Sequence, residues 1–325
     1  MIDELFFWKY KKKSIKQPVF IISNPRSGTT FLHNLLALDE ERFTYMKFAD
    51  TLFCSVSFVR TYKLLNRIHH CIGSPLSSVV RFVENKLFGG WKNIHPMRFN
   101  QPEEDEAIFA QMMLSPGIFI LFPFADRVPA SYFLDLQDAH LQEKAMNFYE
   151  DCVKRFLYGV GSENKTYLAK NVCSSGRVAT LLSRFRDLKI IHIYRNPAEA
   201  VTSMASMFSS MYPLHSPSLA KTDPAYRIWC ELSMNYYVHL FNMKKKFEPA
   251  QYVQISYDEL IKDPLSSVEM IYNYFNWNFS HHLKNKISTY VKQSRNYKSK
   301  HFYKPEDFGF TGQEISSTIN NRLNN

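Results

Sequence analysis

Short apolar runs alternate along the chain with stretches in which apolar residues recur at helical spacing. Four runs have the continuous apolar pattern of strands buried on both faces of a parallel sheet. They lie at residues 18–23 (PVFIIS), 166–169, 189–194 (KIIHIY) and 251–256. A helical pattern follows each run, beginning near residues 31, 177, 198 and 264. Strands that alternate with helices predict an α/β fold, with a parallel sheet joined by right-handed crossovers and flanked by helices.

The segment between the first two strand patterns has a different character. Residues 41–165 are rich in Phe, Met and Tyr at helical spacing and contain few strand signals. We predict a mostly helical insertion there, after the first βα unit. It would cover the carboxyl edge of the sheet, where open α/β sheets bind ligands. Its apolar run at 117–124 (GIFILFPF) is too short to span a membrane and predicts a core strand or a pocket wall.

We interpret the whole chain, residues 1–325, as a single domain. A hydrophobic fraction of 45% with only 10 Gly and 15 Pro is typical of a globular chain with a full core. The α/β core would comprise residues 14–40 and 166–280. The polar residues 295–325 would form a tail with a short helix and a frayed end.

The net charge of +10 favours an anionic ligand, nucleic acid or an anionic membrane surface. Lys and Arg are spread along the chain, and only residues 9–13 and 244–246 form short basic clusters. Nucleic acid is therefore not predicted as a partner. The first 13 residues, MIDELFFWKYKKK, could make a peripheral membrane contact.

The cysteines favour a reducing compartment. There are five of them, odd in number and widely spaced, with no C-x-x-C pair. This pattern fits reduced thiols better than a disulfide framework or a zinc site. The N-terminus lacks a signal-peptide pattern, and no apolar run is long enough for a spanning helix. We therefore expect a cytoplasmic protein.

The loop at 23–30 (SNPRSGTT) joins the first strand pattern to the first helical pattern. It resembles a phosphate-binding loop, G-x-x-x-x-G-K-[ST], in which Ser23 replaces the first glycine and Thr29 replaces the lysine. A cation stands earlier, at Arg26, whose planar fork matches phosphate oxygens. Small residues allow backbone N–H groups to approach an anion at a helix N-terminus. The candidate ligands of this P-loop-like element are Arg26, Ser27, Gly28, Thr29 and Thr30.

The missing lysine restricts the kind of phosphate compound. A triphosphate needs that lysine, and it needs an acidic residue at the end of a second strand to hold magnesium. Neither is present, so the loop suits a lone phosphate with a reactive group beside it, and no metal is predicted. A second strand–turn–helix unit places Arg195 at a strand end and Ser203 about two turns into the next helix. An arginine there either pairs with an acidic residue or points into the ligand crevice.

Together these residues resemble the PAPS-dependent sulfotransferases of the bacterial-type branch. NPRSGTTFLHNLLALD (24–39) is similar to their 5′-phosphosulfate-binding loop. IIHIYRNPAEAVTS (190–203) is similar to their 3′-phosphate-binding segment, with Arg195 and Ser203 at the matching places. The donor that the resemblance implies is 3′-phosphoadenosine 5′-phosphosulfate (PAPS). It carries a lone 3′-phosphate and a 5′-phosphosulfate, needs no metal, and leaves adenosine 3′,5′-bisphosphate as product.

Three further segments extend the resemblance. YLAKN (167–171) is similar to a K-x-P-type segment and implies that Lys170 stabilises transferring oxygens. ISYDELIKDPLSSVEMIYNYF (255–275) resembles a Y-E-D-L-x-x-D-P segment whose tyrosine, here Tyr257, lies near the adenosine. HFYKPEDFGF (301–310) is similar to a C-terminal H-x-Y-x-x-x-D-F-G-L pattern. The glycine-rich R-K-G-x-x-G segment of cytosolic animal sulfotransferases is absent, so their acceptor rules do not carry over.

Sulfuryl transfer to a hydroxyl needs a general base. The string NQPEEDE (100–106) resembles the P-x-E-D-E segment of bacterial sulfotransferases, and its candidates are Glu104 first, then Glu103 and Glu106. The alternative is an ordinary acidic first turn of a helix that begins at Pro102. His95 is the rival base, because cytosolic animal sulfotransferases use a histidine. His33 is expected to cap or pack on the first helix.

The leading hypothesis is direct transfer of a sulfuryl group from PAPS to a hydroxyl of an apolar small molecule, such as a sterol, lipid or phenol. The aromatic and Met-rich insertion favours that class of acceptor over a protein or a glycan. A second hypothesis is a P-loop-like nucleotide-dependent kinase. A third is a non-catalytic protein that binds membrane or nucleic acid through its basic charge. The pattern carries no information on oligomeric state.

Overall fold

A parallel sheet forms the centre of the fold. The computed structural model describes residues 2–89, 98–128, 131–162, 164–220, 223–294 and 304–324. Within these residues five strands form one sheet in the order β2-β3-β1-β4-β5, and every neighbouring pair is parallel. The strands are β1 Val19–Ile22, β2 Phe43–Thr44, β3 Thr166–Lys170, β4 Lys189–Tyr194 and β5 Tyr252–Ser256. The predicted fold class, a parallel sheet flanked by helices, is confirmed.

Helices make up most of the remaining described structure. The first seven are α1 Ile2–Phe6, α2 Thr29–Ala37, α3 Phe48–Leu52, α4 Val56–Cys71, α5 Ser77–Phe88, α6 Glu106–Ala110 and α7 Ala139–Val160. The next four are α8 Val178–Arg184, α9 Pro197–Phe208, α10 Tyr212–His215 and α11 Pro224–Lys244. The last four are α12 Tyr257–Lys262, α13 Pro264–Tyr274, α14 His281–Ser294 and α15 Gly312–Asn324.

Strand β1 is buried on both faces, as its continuous apolar run predicts. Its side chains alternate between two cores because successive residues of a strand point to opposite faces. Val19 and Ile21 pack with residues of α2 and α13, and Phe20 and Ile22 pack with residues of α7 and α8. Helices therefore cover both faces of the sheet at β1, and the carboxyl end of this strand remains available for a ligand.

The segment predicted as a mostly helical insertion also contributes a strand. β2, only two residues long, pairs with β3 at the edge of the sheet. Its brevity explains why no strand pattern was visible. The run at 117–124 is not a strand, because Pro116 begins a 3₁₀ helix that ends at Ile120. The Ser115 hydroxyl caps that helix by accepting a hydrogen bond from the Gly117 amide at 3.0 Å. The division into core, insertion and tail stays a prediction.

The described part of the tail is packed on the body. α15 contacts α9 and α11, and its Ile315 and Ile319 are buried in the same core as Trp229 of α11. Residues 312–324 thus form a short helix, as predicted for the tail, and within these residues the chain is helical rather than frayed. Among the described helices, none combines the length and the apolar character needed to cross a membrane.

Candidate active site

The predicted site residues gather at the carboxyl edge of the sheet. The loop at 23–28 follows β1, and Lys170 is the last residue of β3. Arg195 comes directly after β4, and Tyr257 comes directly after β5. β1 lies between β3 and β4, so these ends face the same side of a continuous row of parallel strands. This is the edge at which open α/β sheets bind ligands.

The loop after β1 has an unusual backbone. Arg26 and Gly28 both have positive φ, +70° and +79°. A left-handed arginine is uncommon, and such outliers concentrate at functional sites. A Cβ on Gly28 would lie 3.1 Å from the Tyr257 ring, so the close approach of Tyr257 also requires glycine. Gly28 caps α2 without a side-chain hydrogen bond, and this leaves first-turn N–H groups for an anion.

Buried polar contacts anchor this loop. The Ser23 hydroxyl donates a hydrogen bond to the Ile193 carbonyl. The side-chain Nδ2 of Asn24 donates to the Ser233 carbonyl at 3.2 Å. The Ser27 hydroxyl is fully buried and has no hydrogen-bond partner among the described residues. Buried hydroxyls are nearly always paired. A bound anion would supply the missing partner, so the loop fits a phosphate or sulfate group.

Hydrogen bonds link Arg26, in the loop after β1, to the segment at 190–203 that contains Arg195. Arg26 Nε donates to Ser203 Oγ at 3.2 Å, and Arg195 Nη1 donates to the Arg26 carbonyl at 2.6 Å. The Arg195 guanidinium also lies over the Tyr257 ring, 4.4 Å from its centroid. Glu199 pairs with Arg195 at 2.7 Å, but its side chain is mostly exposed, and such surface pairs are weak. The structure thus brings the predicted donor-site residues into one cluster.

A lysine and two carboxylates lie on the other side of the loop. Lys170 Nζ lies 3.0 Å from Glu104 Oε1 and 3.4 Å from Glu103 Oε1, and it donates to Thr30 Oγ1 at 3.1 Å. Burial alone would lower the pKa of Lys170. The carboxylates of Glu104 and Glu103 outweigh this effect and raise the pKa above its usual value. Lys170 is completely buried, whereas the side chain of Glu104 is 19% exposed and that of Glu103 is 8% exposed.

Asp105 fixes the acidic segment to the end of β3, a role that the sequence analysis missed. Its carboxylate accepts hydrogen bonds from Asn171 Nδ2 at 2.7 Å, from the Tyr149 hydroxyl, and from the Tyr167 hydroxyl at 3.4 Å. Burial raises the pKa of Asp105 to about 6, although the bonds from Tyr149 and Asn171 oppose the rise. In the sequence, the only indication of this role was the position of Asp105 within NQPEEDE. Its partners are distant in sequence.

The helix expected from Pro102 begins later. Pro102 forms an antiparallel bridge with Lys47, and α6 begins at Glu106. An acidic first turn therefore does not account for Glu103 and Glu104. Their positions follow from the contacts of Lys170 and Asp105.

Glu106 has a different environment from its neighbours. Both of its carboxylate oxygens accept hydrogen bonds from Arg177, at 2.6 and 2.8 Å. Arg177 is fully buried, lies 3.8 Å from the centroid of the Phe109 ring, and also donates to the Leu114 carbonyl at 2.5 Å. Burial alone would lower the pKa of Arg177, but the Glu106 carboxylate outweighs it and raises that pKa. This bidentate pair occupies both carboxylate oxygens of Glu106.

The structure describes only one of the two histidines considered in the sequence analysis, His33. His95 lies outside the described residues, so its role as a rival base stays a prediction. His33 is buried on α2, and neither of its ring nitrogens has a hydrogen-bond partner among the described residues. Its ring packs edge-on against Tyr45 with centroids 5.8 Å apart. Burial, with a smaller effect from Lys170, lowers the pKa of His33 to about 3. The packing role is therefore the observed one.

Comparison with known proteins identifies the family. A family model described as "Sulfotransferase family" matches residues 18–281, which include every strand of the sheet. The chain belongs to the sulfotransferase family. The matched region contains the whole cluster around Arg26, Arg195 and Lys170.

Curated relatives come from mycobacteria. The chain is 24% identical over 259 residues to a protein named omega-hydroxy-beta-dihydromenaquinone-9 sulfotransferase Stf3 from Mycobacterium bovis. It is similar to the same extent to the Stf3 protein of Mycobacterium tuberculosis. The match covers 79% of this chain but only 62% of the length of either relative.

Two solved structures resemble this sulfotransferase-family fold. One is the sulfotransferase STF9 from Mycobacterium avium, with a TM-score of 0.79 at 16% identity. The other is STF1 from Mycobacterium tuberculosis, with a TM-score of 0.69 at 18% identity. Each comparison covers 99% of this chain and 80% of the other. At such low identity the likeness extends to the fold alone.

Proposed function

We propose that this protein is an enzyme that transfers the sulfuryl group of PAPS to a hydroxyl of an apolar small molecule. One observation carries the proposal. The loop after β1 contacts Ser203 and Arg195 through Arg26, and Thr30, in the first turn of the helix α2 that follows the loop, accepts a hydrogen bond from Lys170, which pairs with Glu104. Groups suited to an anionic donor and a group suited to remove a proton therefore lie on the two sides of one loop.

The cluster around Arg26 would hold the phosphates. Arg26, the Ser27 hydroxyl and the first-turn amides of α2 suit the 5′-phosphosulfate, because charged and backbone donors converge there. Arg195 and Ser203 suit the 3′-phosphate, and the Tyr257 ring offers an apolar surface for the adenosine. PAPS, when bound, supplies the activated sulfuryl group. The family, the buried Ser27 hydroxyl without a partner, and the two linked arginines support this donor.

Glu104 is the base that the geometry favours. It is the more exposed of the two acidic side chains at Lys170, so an acceptor hydroxyl can reach it more easily than Glu103. It would take the proton of the acceptor hydroxyl as that oxygen bonds to sulfur and the bond from sulfur to the bridging oxygen breaks. Lys170 and Arg26 would stabilise the negative charge that remains on the departing bisphosphate. Glu106 is less suitable because Arg177 occupies both of its oxygens.

An apolar acceptor is supported by aromatic rings next to the acidic segment. Phe48 and Phe99 have ring centroids 6.1 Å apart, and each lies 5.4 Å from the centroid of Phe88. The Phe48 amide donates to the Gln101 carbonyl at 3.2 Å, so these rings adjoin the segment that carries Glu104. The Mycobacterium bovis relative is named as a sulfotransferase of a hydroxylated dihydromenaquinone. A hydroxylated lipid is therefore the first acceptor class to test.

Label transfer tests this function. The purified protein is incubated with PAPS labelled in its sulfuryl group and with a hydroxylated isoprenoid, a sterol, a phenol, a sugar and a peptide. A parallel set receives ATP labelled in its terminal phosphate, with Mg²⁺. We expect label from PAPS on an apolar hydroxyl compound. Label on the sugar or peptide alone would contradict the acceptor class. Label from ATP alone would support the kinase.

A further inference from the structure

An apolar surface projects from the insertion. Along α4 and α5 and the turn between them, large apolar side chains are between 40% and 67% exposed. They are Leu64, Leu65, Ile68, Ile72, Leu76, Val79, Val80, Phe82, Val83 and Leu87. Leu64 and Ile68 lie four residues apart on one face of α4, and Ile72 follows at the same interval directly after the helix ends. Exposed apolar patches of this extent mark interaction sites.

The charges on this α4–α5 segment, residues 60–89, are of one sign at the surface. Its basic residues are Arg60, Lys63, Arg67, Arg81 and Lys86. Its one acidic residue, Glu84, is buried and pairs with Arg98 at 2.7 Å. The accessible charges of the segment are therefore all positive. A helix with an apolar stripe beside basic side chains suits the interface of an anionic lipid bilayer.

The segment is attached to the candidate active site at the end of α5. Glu84 accepts a hydrogen bond from the Phe99 amide at 3.0 Å, and Phe88 packs against Phe48 and Phe99. Phe99 is followed closely by Glu103 and Glu104. A lipid surface in contact with α4 and α5 would thus adjoin the acidic side of the site.

We propose that the α4–α5 segment docks on the surface of an anionic membrane through its apolar side chains and its basic residues. In this proposal the α4–α5 segment makes the main contact, and the exposed Leu5 and Phe6 near the N-terminus do not. Such docking would present a lipid acceptor to Glu104, and this part of the proposal rests on the proposed function. The docking itself can be measured without any acceptor.

Flotation with vesicles tests the docking. One set of vesicles is pure phosphatidylcholine, and the other contains about one third phosphatidylglycerol. The full-length wild type should float with the anionic vesicles, and high salt should reduce this binding because it screens the charges. The variant Leu64→Gln/Ile68→Gln/Leu87→Gln should lose about tenfold or more of the bound fraction. Its control, Leu136→Gln/Leu214→Gln/Ile261→Gln, removes apolar groups elsewhere that are at least as exposed, and it should bind as the wild type does.

Two further variants separate the charges from the N-terminus. Arg67→Gln/Arg81→Gln/Lys86→Gln should abolish the preference for anionic vesicles, whereas Arg186→Gln/Lys246→Gln/Lys262→Gln should retain it. Leu5→Gln/Phe6→Gln should change binding by less than about twofold. Each variant is first titrated with adenosine 3′,5′-bisphosphate. Unchanged affinity shows that the fold is retained, and absence of bisphosphate binding in the wild type would contradict the proposed function without affecting the docking result.

Three results would overturn the proposal. The wild type floats with neither vesicle, or the α4–α5 variant floats as well as the wild type, or only the N-terminal variant loses binding. Light scattering measures the oligomeric state as a further test. If the wild type forms dimers that the α4–α5 variant cannot form, and it does not float, the apolar surface joins two copies of the chain and the membrane proposal is wrong.

Discussion

Lys170 Nζ lies 3.0 Å from a carboxylate oxygen of Glu104 and donates at 3.1 Å to the hydroxyl of Thr30. One fully buried ammonium group thus links the proposed base to the first turn of α2. Glu104→Gln keeps the size of the side chain but removes its capacity to accept a proton. We expect turnover to fall by about 10²- to 10⁴-fold, the usual contribution of a general base.

The same Glu104→Gln variant should bind adenosine 3′,5′-bisphosphate within about twofold of the wild type, because the donor contacts are on the other side of the loop. Turnover is measured by label transfer, and binding by calorimetry. Glu150→Gln, which alters an ion pair with Lys154 far along the chain, serves as the control. Full activity of Glu104→Gln would exclude Glu104 as the base.

Arg195 is expected to contribute directly to donor affinity. Arg195→Ala removes a guanidinium and its contact with the Arg26 carbonyl, and charged hydrogen bonds contribute about 1.5–3 kcal/mol each. The dissociation constant of adenosine 3′,5′-bisphosphate should rise by roughly tenfold to a hundredfold. Arg184→Ala, which loses a pair with Glu150, is the matched control and should leave that constant unchanged. Equal affinity of wild type and Arg195→Ala would remove Arg195 from the donor site.

Gly28 and Gly73 have the same left-handed backbone conformation but different surroundings. Comparing their alanine variants therefore distinguishes the effect of backbone strain from the effect of the contact with Tyr257. Gly28 and Gly73 have φ of +79° and +78°, but only at Gly28 would a Cβ meet the Tyr257 ring. Both alanine substitutions should destabilise the fold by about 1 kcal/mol through the left-handed backbone. Gly28→Ala should also weaken binding of the bisphosphate. Thermal unfolding and calorimetry measure the two effects, and equal binding by both variants would contradict the close packing of Tyr257 against the loop.

Glu106 is expected to act on stability. Glu106→Gln leaves the buried Arg177 without its counter-charge, and breaking such a pair costs about 3 kcal/mol. Glu231→Gln breaks a half-exposed pair with Arg322 and should cost less than about 1 kcal/mol. Urea unfolding compares the two variants. If Glu106→Gln is as stable as the wild type but inactive, Glu106 belongs to the catalytic groups.

His33 should make the stability depend on pH. Its folded pKa of about 3 lies below its usual value of 6.5, so between these pH values the unfolded chain binds a proton that the folded chain does not. The free energy of unfolding therefore falls as the pH falls through this window. His192 and Asp105 also have shifted pKa values, but they are present in both proteins of a comparison between the wild type and His33→Asn.

Between pH 6 and pH 5 the wild type should lose about 1 kcal/mol more than His33→Asn, because one proton corresponds to about 1.4 kcal/mol per pH unit. Urea unfolding at the two pH values measures the difference. Parallel losses in the two proteins would mean that the folded protein protonates His33 readily, contrary to its burial.

The sequence predicted the sheet well because buried parallel strands are continuous apolar runs. β4 spans Lys189–Tyr194 as predicted, and the other three predicted strands agree within a residue or two at each end. β2 was missed because two residues are too few to form a pattern. The run at 117–124 was predicted to be a core strand or a pocket wall. The strand alternative is wrong because a 3₁₀ helix spans Pro116–Ile120, and a short apolar run does not by itself distinguish a strand from a helix.

The grouping of the proposed donor residues could be predicted from the sequence, because Arg26, Gly28, Arg195 and Tyr257 all follow strands. Topology brings such residues to one edge, so their proximity needs no knowledge of side-chain packing. The separate roles of the acidic residues at 103–106 could not be predicted in this way. Adjacent Glu104, Asp105 and Glu106 pair with Lys170, Asn171 and Arg177 respectively, and only tertiary contacts distinguish their roles.

The central claim is that the cluster at Arg26 and Arg195 binds the nucleotide of PAPS. The most direct measurement is calorimetric titration of the purified protein with adenosine 3′,5′-bisphosphate without magnesium, beside ATP with magnesium. We predict saturable binding of the bisphosphate and weak or no binding of ATP. Saturable binding of ATP with magnesium and none of the bisphosphate would contradict the account and favour the kinase.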